Sequence, residues 1–156
     1  MIRLGVPVIA LVLILDQISK LIAYDALWNP LRRVELLSFL DLVPVENSGI
    51  SFGLFQGDDK TGVWLITGVA LAVSAGLGIW LIRVDRRWPT LALSLIIGGA
   101  LGNVIDRLRL GWVIDFIDFH VNTWHWPAFN IADTVIVIGV AMLLIDGLFE
   151  TEKKPK

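Results

Sequence analysis

The sequence predicts an all-α membrane protein with four transmembrane helices and a small extracytoplasmic β-sheet element in the first outer loop. Three observations carry this expectation. Four apolar stretches are each long enough to cross a bilayer, which takes about 17–25 residues. The chain is 56% hydrophobic with a mean hydropathy of +0.74, well outside the soluble globular norm. The long segment between the first two stretches holds a β-branched and aliphatic run bounded by turn residues, the pattern of a strand.

The first span is expected over about residues 4–23, with Asp16 and Lys20 interrupting its second half. Arg3 followed by an apolar core has a superficial likeness to a cleavable signal peptide. No A-x-A-like site follows, however, and Asp16-Gln17 falls where such a peptide stays apolar, so the segment reads as a retained helix. A first outer loop of about residues 24–62 contains Val34 to Val45 (V-E-L-L-S-F-L-D-L-V-P-V), read as one or two strands. The second span, about 63–82, follows the turn-rich Gly57-Asp58-Asp59-Lys60-Thr61-Gly62. A short loop of about 83–88 carries Arg83, Arg86 and Arg87. The third span, about 89–105, contains Gly98, Gly99 and Gly102, and Gly98 with Gly102 makes a small-x-x-x-small face of the kind that packs helices. A second outer loop of about 106–130 leads to the fourth span, about 131–149. The whole, residues 1–156, reads as a single integral membrane domain.

Lys and Arg are densest in the loop after the second span, in the tail (Lys153, Lys154, Lys156) and at Arg3. The positive-inside rule then puts both termini in the cytoplasm, and an even number of spans agrees. Trp28, Trp112, Trp124 and Trp126 are expected to line the outer interface, where amphipathic rings settle. A net charge of −2 gives no reason to expect nucleic acid as a partner. The chain has no cysteine, hence no disulfide, thiol nucleophile or Cys-based metal site. His120 and His125 lack a third ligand nearby, so neither a metal nor another cofactor is expected.

Polar residues near or within the spans are costly unless paired, hydrated or used, which makes them the candidate site. Asp16 and Lys20 are an i,i+4 pair on one helix face, and self-neutralisation with Lys20 snorkelling outward accounts for them equally well. Asn47 and Gly49 alone read as a turn. Asn103 and Arg107 are i,i+4 near the outer end of the third span, and Asp106 reads as the point where that helix meets water. Asn130 to Asp133 resembles a capping box opening the fourth helix, and a first-turn carboxylate also sits where the helix dipole favours negative charge. Asp115 lies in the preceding loop, with Asp118 as a rival carboxylate that spacing alone does not exclude. All these groups map to the outer helix ends, a one-sidedness that capping and snorkelling do not require. Two aspartates sharing a proton are the smallest machinery that hydrolyses a peptide bond with water.

The motifs D-Q-I-S-K (16–20), E-N-S-G-I-S-F-G (46–53), G-G-A-L-G-N-V-I-D-R (98–107), V-I-D-F (113–116) and F-N-I-A-D (129–133) resemble, in order and spacing, those of the lipoprotein signal peptidases (signal peptidase II). The resemblance covers nearly the whole chain. It implies an aspartic endopeptidase of the bacterial inner membrane that cleaves a prolipoprotein just before a diacylglyceryl-modified cysteine. It also implies lipid surroundings and inhibition by globomycin-type cyclic peptides. Asp115 and Asp133 match the family's catalytic pair. Asp16, Lys20, Asn47, Gly49, Gly99, Asn103, Arg107, Asn130 and Ala132 match residues that shape or support the site. Ile50-Ser51 stands where Ala-Ala is usual, and Asp118 lies outside the family motif. A small ion- or proton-coupled transporter is the alternative reading of intramembrane acids; it predicts polar groups through the whole bilayer depth.

Overall fold

Helices form over the apolar stretches because lipid offers no partner to a backbone N–H or C=O, so each must be satisfied within its own segment. A computed structural model describes residues 1–49 and 61–151. Its elements are α1 (Ile2–Trp28), β1 (Val34–Leu37), β2 (Leu40–Asn47), α2 (Thr61–Arg83), α3 (Arg87–Leu110), β3 (Val113–Val121), β4 (Trp124–His125) and α4 (Ile131–Thr151). All four helices are long and apolar enough to span a membrane, as expected of a multi-pass membrane protein. Ile50 and Ser51 lie outside the described residues.

α3 is the central helix, packed against α1, α2 and α4. Its apolar window is 67% buried, against 22%, 17% and 11% for α1, α2 and α4. The other three turn exposed side chains such as Leu11, Ile22, Leu65, Ile82, Val137 and Leu148 outward, an apolar perimeter suited to lipid and not to water. Glycine permits the close approach. A Cβ at Gly99 would lie 2.5 Å from the Ala132 carbonyl oxygen on α4, and one at Gly102 would collide with the Asp16 carboxylate of α1.

The sheet is larger than the expected element. Its order is β1-β2-β3-β4, all antiparallel, so the strands of the first interhelical segment are completed by two from the second. Asp115, expected on a loop, therefore stands on a strand. The reason is that a lone hairpin is marginal in water, and β3 (V-I-D-F-I-D-F-H-V) supplies the third strand. One face of this sheet packs on the end of α1, where Ala23 and Leu27 meet Ile114 and Phe116. Trp28 stacks between Tyr24 and Trp112, with ring centroids 5.2 and 5.9 Å apart.

An irregularity in β2 decides which side chains face the site. Leu42 opposes Ile117 but Val45 opposes Asp115, so β2 advances three residues where β3 advances two. The extra residue falls around Pro44, which has no N–H to give a ladder and is confined to edges and bulges. A one-residue shift turns every later side chain to the opposite face. Asn47, not Glu46, therefore shares a face with Asp115.

Candidate active site

The start of α4 is a reciprocal cap. Asn130 Oδ1 accepts the Asp133 N–H at 3.0 Å, and Asp133 Oδ2 accepts the Asn130 N–H at 3.2 Å. Two otherwise orphaned helix donors are satisfied in this way, and the bonds that start the helix also aim the Asp133 carboxylate. Its other oxygen, Oδ1, accepts from Asn103 Nδ2 of α3 at 2.8 Å.

Asp115 comes to the same place from the sheet. The Phe129 backbone bonds to β3 at Phe116 and Ile117, which lays the segment before α4 along the strand and brings Asn130 beside Asp115. Asn130 Nδ2 donates to Asp115 Oδ1 at 2.6 Å, and Asn47 Nδ2 donates to Asp115 Oδ2 at 2.7 Å. Asn47 is itself oriented, because its Oδ1 accepts the N–H of Gly49 at 2.7 Å in an Asx turn. Burial pushes the Asp115 carboxyl up to about 6 from the usual 3.8, with Asp133 adding to the rise. Hydrogen bonds from Asn47 and Asn130 and the charge of Lys20 oppose it. The fully buried Asn130 side chain thus touches both aspartates.

Behind the pair lies a buried ion cluster. Lys20 Nζ stands 2.9 Å from Asp16 Oδ2 and 2.8 Å from Asp106 Oδ2, and it donates to Asn103 Oδ1 at 2.8 Å. Asp16 Oδ1 accepts the N–H of Ala132 at 3.0 Å. Lys20 does not snorkel; its side chain is 1% exposed. Asp106 is equally buried, so the expectation that it marks where α3 meets water is overturned: the ammonium draws it inward. Gln17, inside the first motif, also joins the cluster by donating to Asp16, Asp106 and the Gly102 carbonyl. Asp106 was legible as i,i+3 from Asn103, but its partner is remote in sequence.

Arg107 lies within Coulombic reach of Asp133, Asp115 and Asp106, and its buried Nε has no hydrogen-bond partner among the described residues. Gly49 is beside it: a Cβ there would stand 3.6 Å from Arg107 Nη2. Asp118 points to the other side of β3 and is held by His125 Nδ1 at 2.8 Å. The geometry leaves it out of the cluster. Two clefts meet the pair. One of about 280 Å³ is lined by Val45, Glu46, Asn47, Ser48, Asp115, Pro127 and Ala128. The other, about 320 Å³, runs along Trp126, Phe129, Asp133, Thr134, Val137 and Ile138. One carboxylate thus lines a cleft with many polar groups and the other an apolar groove on α4.

Residues 8–149 match the family model of signal peptidase (SPase) II. A lipoprotein signal peptidase of Methylobacterium radiotolerans is 44% identical over 99% of this chain and 91% of its own length. One from Aeromonas hydrophila is 46% identical over 92% of this chain and 87% of its own. A solved structure described as a bacterial membrane enzyme superposes with a TM-score of 0.80 at 30% identity, covering all of this chain and 94% of that one.

Proposed function

The chain belongs to the signal peptidase II family, and on that premise we propose that it hydrolyses its substrate with Asp115 and Asp133 as a catalytic pair. It is a membrane peptidase that removes the signal peptide from prolipoproteins. The transporter reading has no support from these relatives. One observation carries the aspartic mechanism: two carboxylates from separate elements are joined through the side chain and backbone of Asn130, and each lines a cleft.

In this reading Asp115, whose proton is held by burial, starts as the acid and donates a hydrogen bond to the scissile carbonyl. Asp133 takes a proton from a water as its oxygen attacks the carbonyl carbon. The tetrahedral intermediate then collapses; the C–N bond breaks as Asp115 gives its proton to the leaving nitrogen, and the pair again holds one proton, the one Asp133 took from water. No covalent enzyme intermediate forms. Arg107, whose Nε has no hydrogen-bond partner among the described residues, and Asn47, at the cleft wall, orient substrate carbonyls. We assign the bond cleaved to the one before a diacylglyceryl-modified cysteine, with the lipid chains and signal-peptide helix in the surrounding bilayer. The site faces the outer side of the inner membrane and both termini are cytoplasmic. Globomycin-type cyclic peptides would compete for the clefts.

The test is to make Asp115→Asn and Asp133→Asn separately, verify folding, and assay cleavage of a diacylglyceryl-modified prolipoprotein. Loss of a positioned acid or base costs about 10²–10⁴-fold, so each variant should fall by that factor. Retention of more than a tenth of the activity by either one sinks the pair assignment.

A further inference from the structure

A third cleft lies between α1 and α3, at the end of these helices that bears the site, and neither Asp115 nor Asp133 lines it. It holds about 210 Å³ and takes apolar walls from Leu21, Leu110 and Ile114. Its polar lining is Gln17, Tyr24 and Arg109, with the buried Lys20 and Asp106 behind them. The two buried charges are already engaged: Lys20 with Asp16, Asp106 and Asn103, and Asp106 Oδ1 with the Gln17 amide nitrogen at 3.1 Å. Gln17 stands between the buried acids and the opening. Its nitrogen serves Asp16 and Asp106 and its oxygen turns to Arg109.

Arg109 is the one charge at the mouth that is not engaged. It is exposed, and among the described residues it has no ion-pair partner and a single long hydrogen bond, to Gln17 Oε1 at 3.4 Å. Two steps along a helix send a side chain to the far side, so Arg107 faces the aspartates while Arg109 faces this cleft. Below the mouth, Leu21 stands in a row with Ile18 and Ile14, each about half exposed. Their spacing keeps them on one face of α1, a ridge that runs about 10 Å toward the membrane centre. Above it, Tyr24 stacks on Trp28 and Trp28 on Trp112, rings of the kind that settle at headgroup depth.

We propose that this cleft is a binding site for one anionic phospholipid, separate from the peptidase site. Arg109 holds the phosphodiester, with the Tyr24 hydroxyl at the rim, and an acyl chain lies along Leu21, Ile18 and Ile14. The charges match, one guanidinium to one phosphodiester, and a planar fork of donors suits phosphate oxygens. Arg109 supplies no acceptor for a headgroup ammonium, and the Asp106 oxygens are taken, so a zwitterionic lipid gains less. An arginine that merely reaches for the headgroup layer would explain the charge. It does not explain a cleft beneath it whose apolar wall continues as a lipid-facing ridge.

The experiment uses the full-length protein in a non-ionic detergent, titrated with dioctanoyl phosphatidylglycerol. Thermal unfolding gives the apparent Kd, and native mass spectrometry counts the lipids retained. One saturable lipid should bind and raise the unfolding temperature. Arg109→Gln should weaken it about fivefold, the worth of one basic residue against an anionic lipid. Leu21→Trp, which fills the cleft and keeps the charge, should weaken it at least as much. Arg83→Gln, at the opposite end of the helices, should leave it unchanged. All three variants should cleave prolipoprotein in detergent as the parent does, which verifies the fold.

A loss smaller than about threefold in either cleft variant overturns the proposal. So does an equal loss in Arg83→Gln, which would mark diffuse attraction to the basic surface. Dioctanoylglycerol or dioctanoyl phosphatidylcholine binding as tightly would reduce the cleft to an apolar groove, and inorganic phosphate alone stabilising as much would make it an anion site; each result also overturns it. If Leu21→Trp is misfolded, Arg109→Gln measured against Arg83→Gln decides alone.

Discussion

Asn130→Asp separates two tasks performed by one buried side chain. The amide nitrogen faces three oxygens: Asp115 Oδ1 at 2.6 Å, Asn103 Oδ1 at 3.2 Å and the Ile114 carbonyl at 3.3 Å. The amide oxygen caps α4 by accepting the Asp133 N–H. Aspartate is as good an N-cap as asparagine, so the substitution keeps the cap and replaces only the donor. The substitution leaves a buried Asp115 oxygen without its donor, which costs about 1–3 kcal/mol. At 1.36 kcal/mol per decade of rate, kcat/KM should fall about 5–160-fold. The new oxygen sits against Asp115 and is tolerated only by sharing a proton with it, which pushes the Asp115 carboxyl further above about 6.

Asn130→Ala makes the comparison decisive. It removes the cap as well, about 1 kcal/mol, and leaves a buried donor and acceptor without partners at about 1–3 kcal/mol each. The aspartate variant should therefore unfold near the parent temperature and the alanine variant clearly below it, while both lose activity. The assay is initial-rate cleavage of a diacylglyceryl-modified prolipoprotein, alongside thermal unfolding in the same detergent. An aspartate variant within threefold of parental activity refutes the donor role. Identical unfolding of the two variants refutes the cap.

Three further outcomes are expected. The Asp115 carboxyl stands near 6 against an ordinary 3.8, raised chiefly by burial, so in the free protein Asp115 loses its proton as pH rises through about 6. kcat/KM should decline from there and kcat from a higher pH, since bound substrate excludes water from the cleft; a flat kcat/KM from about pH 5 to 8 contradicts this. Gly99→Ala puts a methyl group 2.5 Å from the Ala132 carbonyl oxygen and 2.7 Å from Ile136 Cγ1, whereas a Cβ at Gly76 meets nothing within 4 Å. Overpacking of this kind costs about 1–3 kcal/mol, so thermal unfolding should show Gly99→Ala destabilised and Gly76→Ala unchanged or slightly stabilised; equal values sink the packing argument. Activity should survive EDTA under the proposed acid–base mechanism, in which the two carboxyls act alone, and a loss restored by added metal would exclude that mechanism.

The four helices were legible because lipid imposes a length and a composition that a one-dimensional scan detects. The cap at Asn130–Asp133 was legible because its partners are three residues apart. What remained hidden depends on contacts across large sequence separations. Val113–Val121 has the β-branched and aromatic composition of a strand, but its membership in the sheet depends on β2, brought alongside by the helices. The bulge around Pro44 decides that Asn47 and not Glu46 meets Asp115, and proline in a run of strand residues signals an irregularity without giving its position. Asp106 was misread for the same reason: beside Arg107 at a helix end an acid suggests water, and only Lys20, on another helix, makes burial tolerable.

Asp118 shows why motif and geometry had to be combined. It lies three residues from Asp115 on the same strand and is similarly buried, so neither composition nor burial tells the two apart. Pleating does, because an odd separation along a strand sends side chains to opposite faces. On one face a carboxylate meets His125; on the other it meets two asparagine amides and the start of a helix bearing a second acid. Buried acids must find donors wherever they lie, and the identity of the donors decides what an acid can do. Neutral amides hold the Asp115 carboxylate in place, with no ion-pair partner among the described residues, and burial dominates its proton affinity. A direct partner such as Lys20 at that position would hold the group ionised. Lys20 instead stands behind Asn103, one amide removed from Asp133.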